Sequence, residues 1–160
     1  MNMSSMNEPA ESNDFLAAHA RLLCDSYRRR TGRDLVDPGL DDKDTARALF
    51  EAPFAVVSHG IEADPIFNYG NRTALKLFGM SWNDFTQLPS RRSAEPVNRT
   101  ERQRLLQRVS ENGFIDDYTG VRISADGRRF MIRKATVWNL ENEAGNDRGQ
   151  AAMFAEWEPL

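Results

Sequence analysis

Two histidines, one cysteine and the adjacent carboxylates Asp116 and Asp117 are the residues from which a reaction could be built. His59 follows an apolar run and precedes Gly60. Its neutral ring could donate or accept within a pocket, and its charge could respond near neutral pH. The plainer reading is a strand-end histidine whose ring bonds a neighbouring backbone group while Gly60 makes the turn. Asp116 and Asp117 have the types of an acid–base pair. Neighbours on a strand point to opposite faces, so only one of them could line a pocket. Arg91-Arg92-Ser93 with Glu95 could clamp a carboxylate or phosphate, or could form a surface charge pair. Both readings stay open. Neither His19 nor His59 has a Cys, His or carboxylate partner at a metal-ligand spacing. No nucleophile motif or Gly-rich phosphate loop occurs, so no catalytic residue and no metal ligand is assigned. An enzyme using His59 with a carboxylate is the third-placed function class.

These residues sit in 160 residues, about the length of one domain, with 40% apolar residues to build one core. A net charge of -3 gives no electrostatic ground for direct nucleic-acid binding or for an anionic membrane as partner. No apolar run of about 18 residues is present to span a membrane. The single cysteine, Cys24, excludes an intramolecular disulfide and fits a reducing, cytoplasmic setting.

The elements that must position the candidates follow from spacing and punctuation. Residues 1–13 are polar and small and are expected to be a disordered tail. Residues 14–52 form an N-terminal helical extension. Its first helix should span 14–30, with Asp14 as N-cap, Leu16, Ala20, Leu23 and Tyr27 on one face, and Gly32 just past the end. Arg28, Arg29 and Arg30 then complement the helix dipole. A shorter helix over 43–51, capped by Asp41 or Asp42, ends before Pro53. Residues 54–58 and 66–69 read as strands separated by Asp64-Pro65. Asn71 caps a helix that Gly79 closes, Ser81 opens a short helix, and a polar helix over 99–111 stops at Asn112-Gly113. Three long segments follow as a meander: 114–124, 128–140 and 149–157, the first two joined by Ala125-Asp126-Gly127.

The order is strand, strand, short helices, then three strands, and it resembles that of PAS domains. Asn71 through Gly79, NRTALKLFG, looks like the PAS helix entered by an Asn and closed by a Gly. The runs SHGIEADPIFNYGN, LFGMSW, FTQLPSRRSAEP, GFIDDYTGVRIS and ATVWNL closely resemble the MEKHLA domain, a PAS-related module found alone in bacteria and algae and at the end of certain plant homeodomain-zipper transcription factors. The resemblance covers most of the chain, with residues 53–160 as the domain proper. It implies an α+β fold: a PAS-like five-stranded antiparallel sheet in order 2-1-5-4-3, a helical insert on one face and the N-terminal helical extension. It also implies a sensory or regulatory role rather than an enzyme.

Photoactive flavin PAS domains carry a reactive Cys in the helix after the second strand. Here the only Cys is Cys24, so cysteinyl-flavin chemistry is not expected; non-covalent flavin stays open. The axial His of haem PAS domains has no counterpart in the 99–111 helix, so haem is not expected. The cofactor is otherwise unknown. The expected ligand-binding residues between insert and sheet are His59, Tyr69, Trp82, Arg91 or Arg92, Trp138, Ala151 and Met153, with Phe154 on the outer face. Leu16, Leu23 and Tyr27 with Phe154 are expected to cover that face and to form, or lie near, a homodimer interface. The leading function is a module that binds a small organic ligand, a protein partner, or both. The rival is a dimerisation domain with a filled core.

Overall fold

The computed structural model describes residues 7–94 and 99–160. Glu95 and Asn98 lie outside the described residues. Helix α1 (Ala17–Thr31) leads to α2 (Asp42–Phe50), and strands β1 (Ala55–His59) and β2 (Phe67–Gly70) follow. Helices α3 (Arg72–Phe78), α4 (Trp82–Phe85) and α5 (Arg99–Asn112) make the insert. Strands β3 (Phe114–Ile123), β4 (Arg129–Glu141), β5 (Asp147–Phe154) and β6 (Glu156–Pro159) complete the sheet.

The sheet is antiparallel in the order β2-β1-β5-β4-β3, as the segment order implies, with β1 and β5 adjacent at its centre. The segment expected as one last strand bends at Ala155, and its continuation β6 pairs with the first half of β4. Lys134, with φ 52°, lies between the stretch of β4 that pairs β6 and the stretch that pairs β5. That kink breaks what would otherwise be a single long pairing. Gly149 has φ 117°, and a Cβ there would fall 1.9 Å from the His59 carbonyl oxygen, so only glycine lets β5 approach β1 at this end.

Several helix boundaries follow from their caps. Asp41 accepts from the Asp44 amide at 2.8 Å, and Ser81 accepts from the Asp84 amide at 3.1 Å. The start of α1 differs from the expectation. Residues 11–16 form a 3-10 turn that buries Phe15, and Asp14, Phe15 and Leu16 all have positive φ, so Asp14 is not the N-cap. Residues 7–13, expected to be tail, are placed as well. The Ala10 amide donates to the Asn13 side chain at 2.9 Å, and Pro9 is buried.

Asn71 does more than cap α3. Its Oδ1 accepts from the Ala74 amide at 3.1 Å and from the Val56 amide at 3.0 Å. Its Nδ2 donates to the carbonyls of Leu49 at 3.1 Å and Phe54 at 2.8 Å. The residue is fully buried, so every polar atom of the amide is used and none meets solvent. Removing it strands four backbone groups, each worth roughly 1–3 kcal/mol when left unsatisfied. Asn71→Ala should therefore lower unfolding stability in urea by on the order of 3–5 kcal/mol. Asn71→Asp should cost about as much, because a carboxylate cannot donate to the two carbonyls.

Candidate functional site

Alternation along the central strands separates two buried surfaces. Val57, Gly70, Ala152 and Val137 are register partners on one face; Ser58, Tyr69, Ala151 and Trp138 are partners on the other. The first face looks toward α3 and α5, and the second toward α1. Helix α4 straddles the β2 edge: Phe85 stacks on Phe67 at 4.3 Å, and Trp82 meets Tyr69 edge-on at 5.7 Å.

Between the insert and the first face lies a cavity of about 70 Å³. Val57, Phe67, Phe78, Leu105, Val137 and Phe154 are among its apolar walls. Polar groups reach it from Ser90, Ser93, Arg122, His59 and Gln150. The Arg122 guanidinium is occupied, lying over the Tyr118 ring and donating to the Val121 carbonyl at 2.9 Å. His59, Leu106 and Gln150 also line a wider groove of about 610 Å³ at the end of the sheet, which forms a vestibule to the cavity. His59 behaves as the plainer reading holds: its Nδ1 lies 2.9 Å from the Gly60 carbonyl, so Nδ1 is the donor. A cavity that binds benzene measures about 150 Å³, and typical small-molecule sites roughly 300–1,000 Å³. The cavity itself is smaller than either, and Cys24 lies in α1, on the opposite side of the sheet. Burial pushes the Cys24 thiol up to about 12, so it is held as the inert thiol.

Of the expected ligand residues, His59 and Ala151 border the cavity. Tyr69, Trp138 and Met153 do not; β5 has the opposite parity to the one expected. Ala151 and Met153 are partners of Ser58 and Val56, on the α1 side, while Phe154 faces the cavity rather than the outside. Because helices cover both faces, neither set of residues on β5 had to be polar, and a one-residue choice of register was undetermined. Trp82 fills the β2 edge instead. Arg91 pairs with Asp64 at 3.0 Å on the surface, and Arg92 is exposed, so neither arginine clamps a ligand in the cavity. The serines flanking them, Ser90 and Ser93, reach it instead. Asp116 and Asp117 are both exposed, at a break in the β3 register, and pair with Arg33 and Arg108. The residues missed were Gln150, Asn139, Ala152 and Phe67. The signal available was a pair of amides, Asn139 and Gln150, each beside an apolar run of its strand and facing each other across the pairing.

The second face is closed by α1. Tyr27 packs edge-on against Trp138 at 4.8 Å, and Leu23 and Trp138 have no exposed surface. Ser26 Oγ accepts from the Glu141 amide at 3.1 Å and donates to its carbonyl at 3.2 Å. Arg30 ion-pairs with the Glu141 carboxylate, and Arg29 donates to the Glu141 carbonyl. The arginine run thus fastens the helix end to the sheet, beyond any role at the dipole. The stripe Leu16, Leu23 and Tyr27 finds its cover inside the chain, with Leu16 half-buried at its start. The need for a second subunit, on which the dimer interface rested, is thereby removed.

Residues 17–159 match the MEKHLA domain family model. This chain belongs to the MEKHLA domain family. Among curated proteins it is similar to homeobox-leucine zipper protein HOX9 of Oryza sativa subsp. indica, 24% identical over 140 residues. It is also similar to homeobox-leucine zipper protein ATHB-8 of Arabidopsis thaliana, 25% identical over 163 residues. The matches cover 86% and 97% of this chain but only 16% and 18% of those proteins. Among solved structures, the PAS domain of a protein from Colwellia psychrerythraea aligns with TM-score 0.60 at 17% identity, over 74% of this chain and 95% of that one. The light-state dimer of the fungal blue-light photoreceptor Vivid aligns with TM-score 0.55 at 11% identity, over 98% of this chain and all of that one. These likenesses show a PAS fold.

His19 carries the titration of the α1 contact. Its ring stacks on Tyr69 at 5.4 Å, and its Nε2 lies 3.0 Å from Ser58 Oγ. Ser58 Oγ donates to Asn68 Oδ1 at 2.5 Å, so Nε2 is the donor to Ser58. Desolvation lowers the His19 pKa to about 4. The folded pKa lies below the unfolded value of about 6.5, so the unfolded chain binds more protons in between. Stability is full above pH 6.5 and falls as the pH drops toward 4, by on the order of 3 kcal/mol from this group. Urea titrations of wild type and His19→Gln at pH 7.5 and 5 should show the wild type losing more stability than the variant.

Proposed function

We propose that this chain is a PAS-type regulatory module that binds a small ligand between the helical insert and the sheet and signals by association. The observation that carries this reading is the apolar cavity with polar groups at its mouth, in a fold whose two sheet faces are both covered. A ligand there touches α5 through Leu105 and Leu106, and β5 through Ala152. Strand β5 presents its alternate residues to α1, so occupancy on one face bears on helix docking on the other. No catalytic step is part of the reading; His59 spends its Nδ1 on a carbonyl rather than on a carboxylate.

The association is proposed to be with a second copy or with another protein in the cytoplasm, and no direct nucleic-acid or membrane contact is proposed. No helix among the described residues is long and apolar enough to cross a membrane. The large apolar side chains exposed among the described residues, Leu40, Ile61 and Leu160, belong to separate segments and do not build an interface. A homodimer through the N-terminal region therefore requires α1 to leave the sheet and uncover Trp138 and Tyr69. The rival reading, a dimerisation domain with a filled core, is disfavoured by the cavity.

Native mass spectrometry of the purified chain, with an absorption spectrum, should show a small bound species that Ala152→Leu displaces with the fold retained by circular dichroism. An unliganded wild type indistinguishable from Ala152→Leu would favour the filled-core reading. Leu23→Glu should release α1 and raise the dimer fraction in light scattering at micromolar concentration. A variant that stays monomeric with α1 released would rule out association through this face.

A further inference from the structure

The junction between cavity and vestibule carries polar groups whose direction is set by the protein. Asn139 Nδ2 donates to the Val109 carbonyl of α5 at 3.2 Å. Its Oδ1 is then the side that accepts from Gln150 Nε2, at 2.9 Å. This chain of two amides leaves no freedom to flip: reversing Gln150 would set two carbonyl oxygens against each other. Gln150 Oε1 is consequently fixed as an acceptor. It is fully buried and meets no donor among the described residues. A buried acceptor without a partner costs roughly 1–3 kcal/mol, so an incoming N–H or O–H gains what the protein forgoes.

The surroundings decide which donor. Inside the junction the walls are mainly apolar, the Arg122 guanidinium there is already engaged by Tyr118 and the Val121 carbonyl, and the 70 Å³ volume takes a short aliphatic end. Outside it, the vestibule holds three carboxylates, Glu62, Glu141 and Asp147, and no Lys or Arg lines it. Glu141 is neutralised by Arg30. Glu62 and Asp147 spend one oxygen each on the backbone amides of Ile66 and Gly149 and keep their charge toward the groove. An anion is repelled there, whereas a cation bearing N–H donors meets both the orphan oxygen and the charges.

We infer that the site takes a small aliphatic ammonium ion, with its apolar end in the cavity, an N–H donated to Gln150 Oε1, and its charge facing Glu62 and Asp147. This rests on the reading of the cavity as a ligand site. A primary alkylamine is protonated at pH 7, like the lysine head group with its pKa of about 10.4.

The test titrates the full chain at pH 7 with n-butylamine, butan-1-ol and sodium butyrate, followed by amide chemical shifts of β5 and α5. The amine should bind at least about tenfold tighter than the alcohol, and butyrate weakest. Gln150→Leu should reduce the amine's advantage about tenfold. Glu62→Gln combined with Asp147→Asn should also reduce it, and raised salt should weaken amine binding to the wild type. Alcohol or butyrate binding as tightly as the amine overturns the ammonium assignment and leaves the ligand site standing. Binding of none of the three overturns both. Should Gln150→Leu fail to fold, the Glu62/Asp147 pair decides: unchanged amine preference in that variant overturns the assignment.

Discussion

Four hydrogen bonds converge on the buried Asn71 amide, and they join three pieces of chain that are otherwise separate in sequence. Through them the end of α2, the entry to β1 and the first turn of α3 share one fixed point. The Asn71 backbone amide adds a bond to the Val56 carbonyl at 3.0 Å. An amide is the only common side chain of this size that supplies two donors and an acceptor for two more. With that point fixed, β1 lies beside β5, α3 lies over the sheet, and the helical lead-in is held against the domain rather than hanging from it. Position and direction of the cavity both descend from this arrangement.

The sheet then works as a partition. On one side the aromatic rings of Phe67, Phe78, Phe85 and Phe130 pack against one another and stop short of filling the space beneath α5. On the other side α1 seals Trp138 and Tyr69, with Trp138 Nε1 and Tyr69 Oη both buried and lacking hydrogen-bond partners among the described residues. Unsatisfied donors under a docked helix make that docking less favourable than an apolar seal would be. The helix is held instead by the Glu141 contacts at one end and by His19 near the other.

Most of the architecture was legible in the residues. Asn71, Gly79, Ser81 and Gly113 punctuate the insert where their chemistry demands, and the strand order is the one that the resemblance to PAS domains implies. The start of α1 was not legible, because Asp14 is a good cap by type while the chain at Asp14 through Leu16 adopts left-handed φ to bury Phe15. The site was legible only in part. His59 and Ala151 reach the cavity, but Tyr69, Trp138 and Met153 face α1, and Phe154 faces inward. Alternation reveals which face is wet, and here neither is; Ala151 and Ala152 are indistinguishable by type. Arg91 and Arg92 were drawn to the surface by Asp64 and by solvent, a tertiary outcome that local spacing does not encode.

The alternation along β5 has a bearing on how such a domain can diversify. Gln150, Ala152 and Phe154 meet whatever enters the cavity, Met153 lies on the helix side, and Ala151 borders the cavity as well. The two sets interleave on one strand and meet only at Ala151. Substitutions at even-numbered positions can retune what is recognised while odd-numbered positions keep the output contact intact, and the reverse holds as well. A single strand thus carries two nearly independent inheritances, free to drift apart among relatives as long as no residue is inserted or deleted between Gly149 and Phe154.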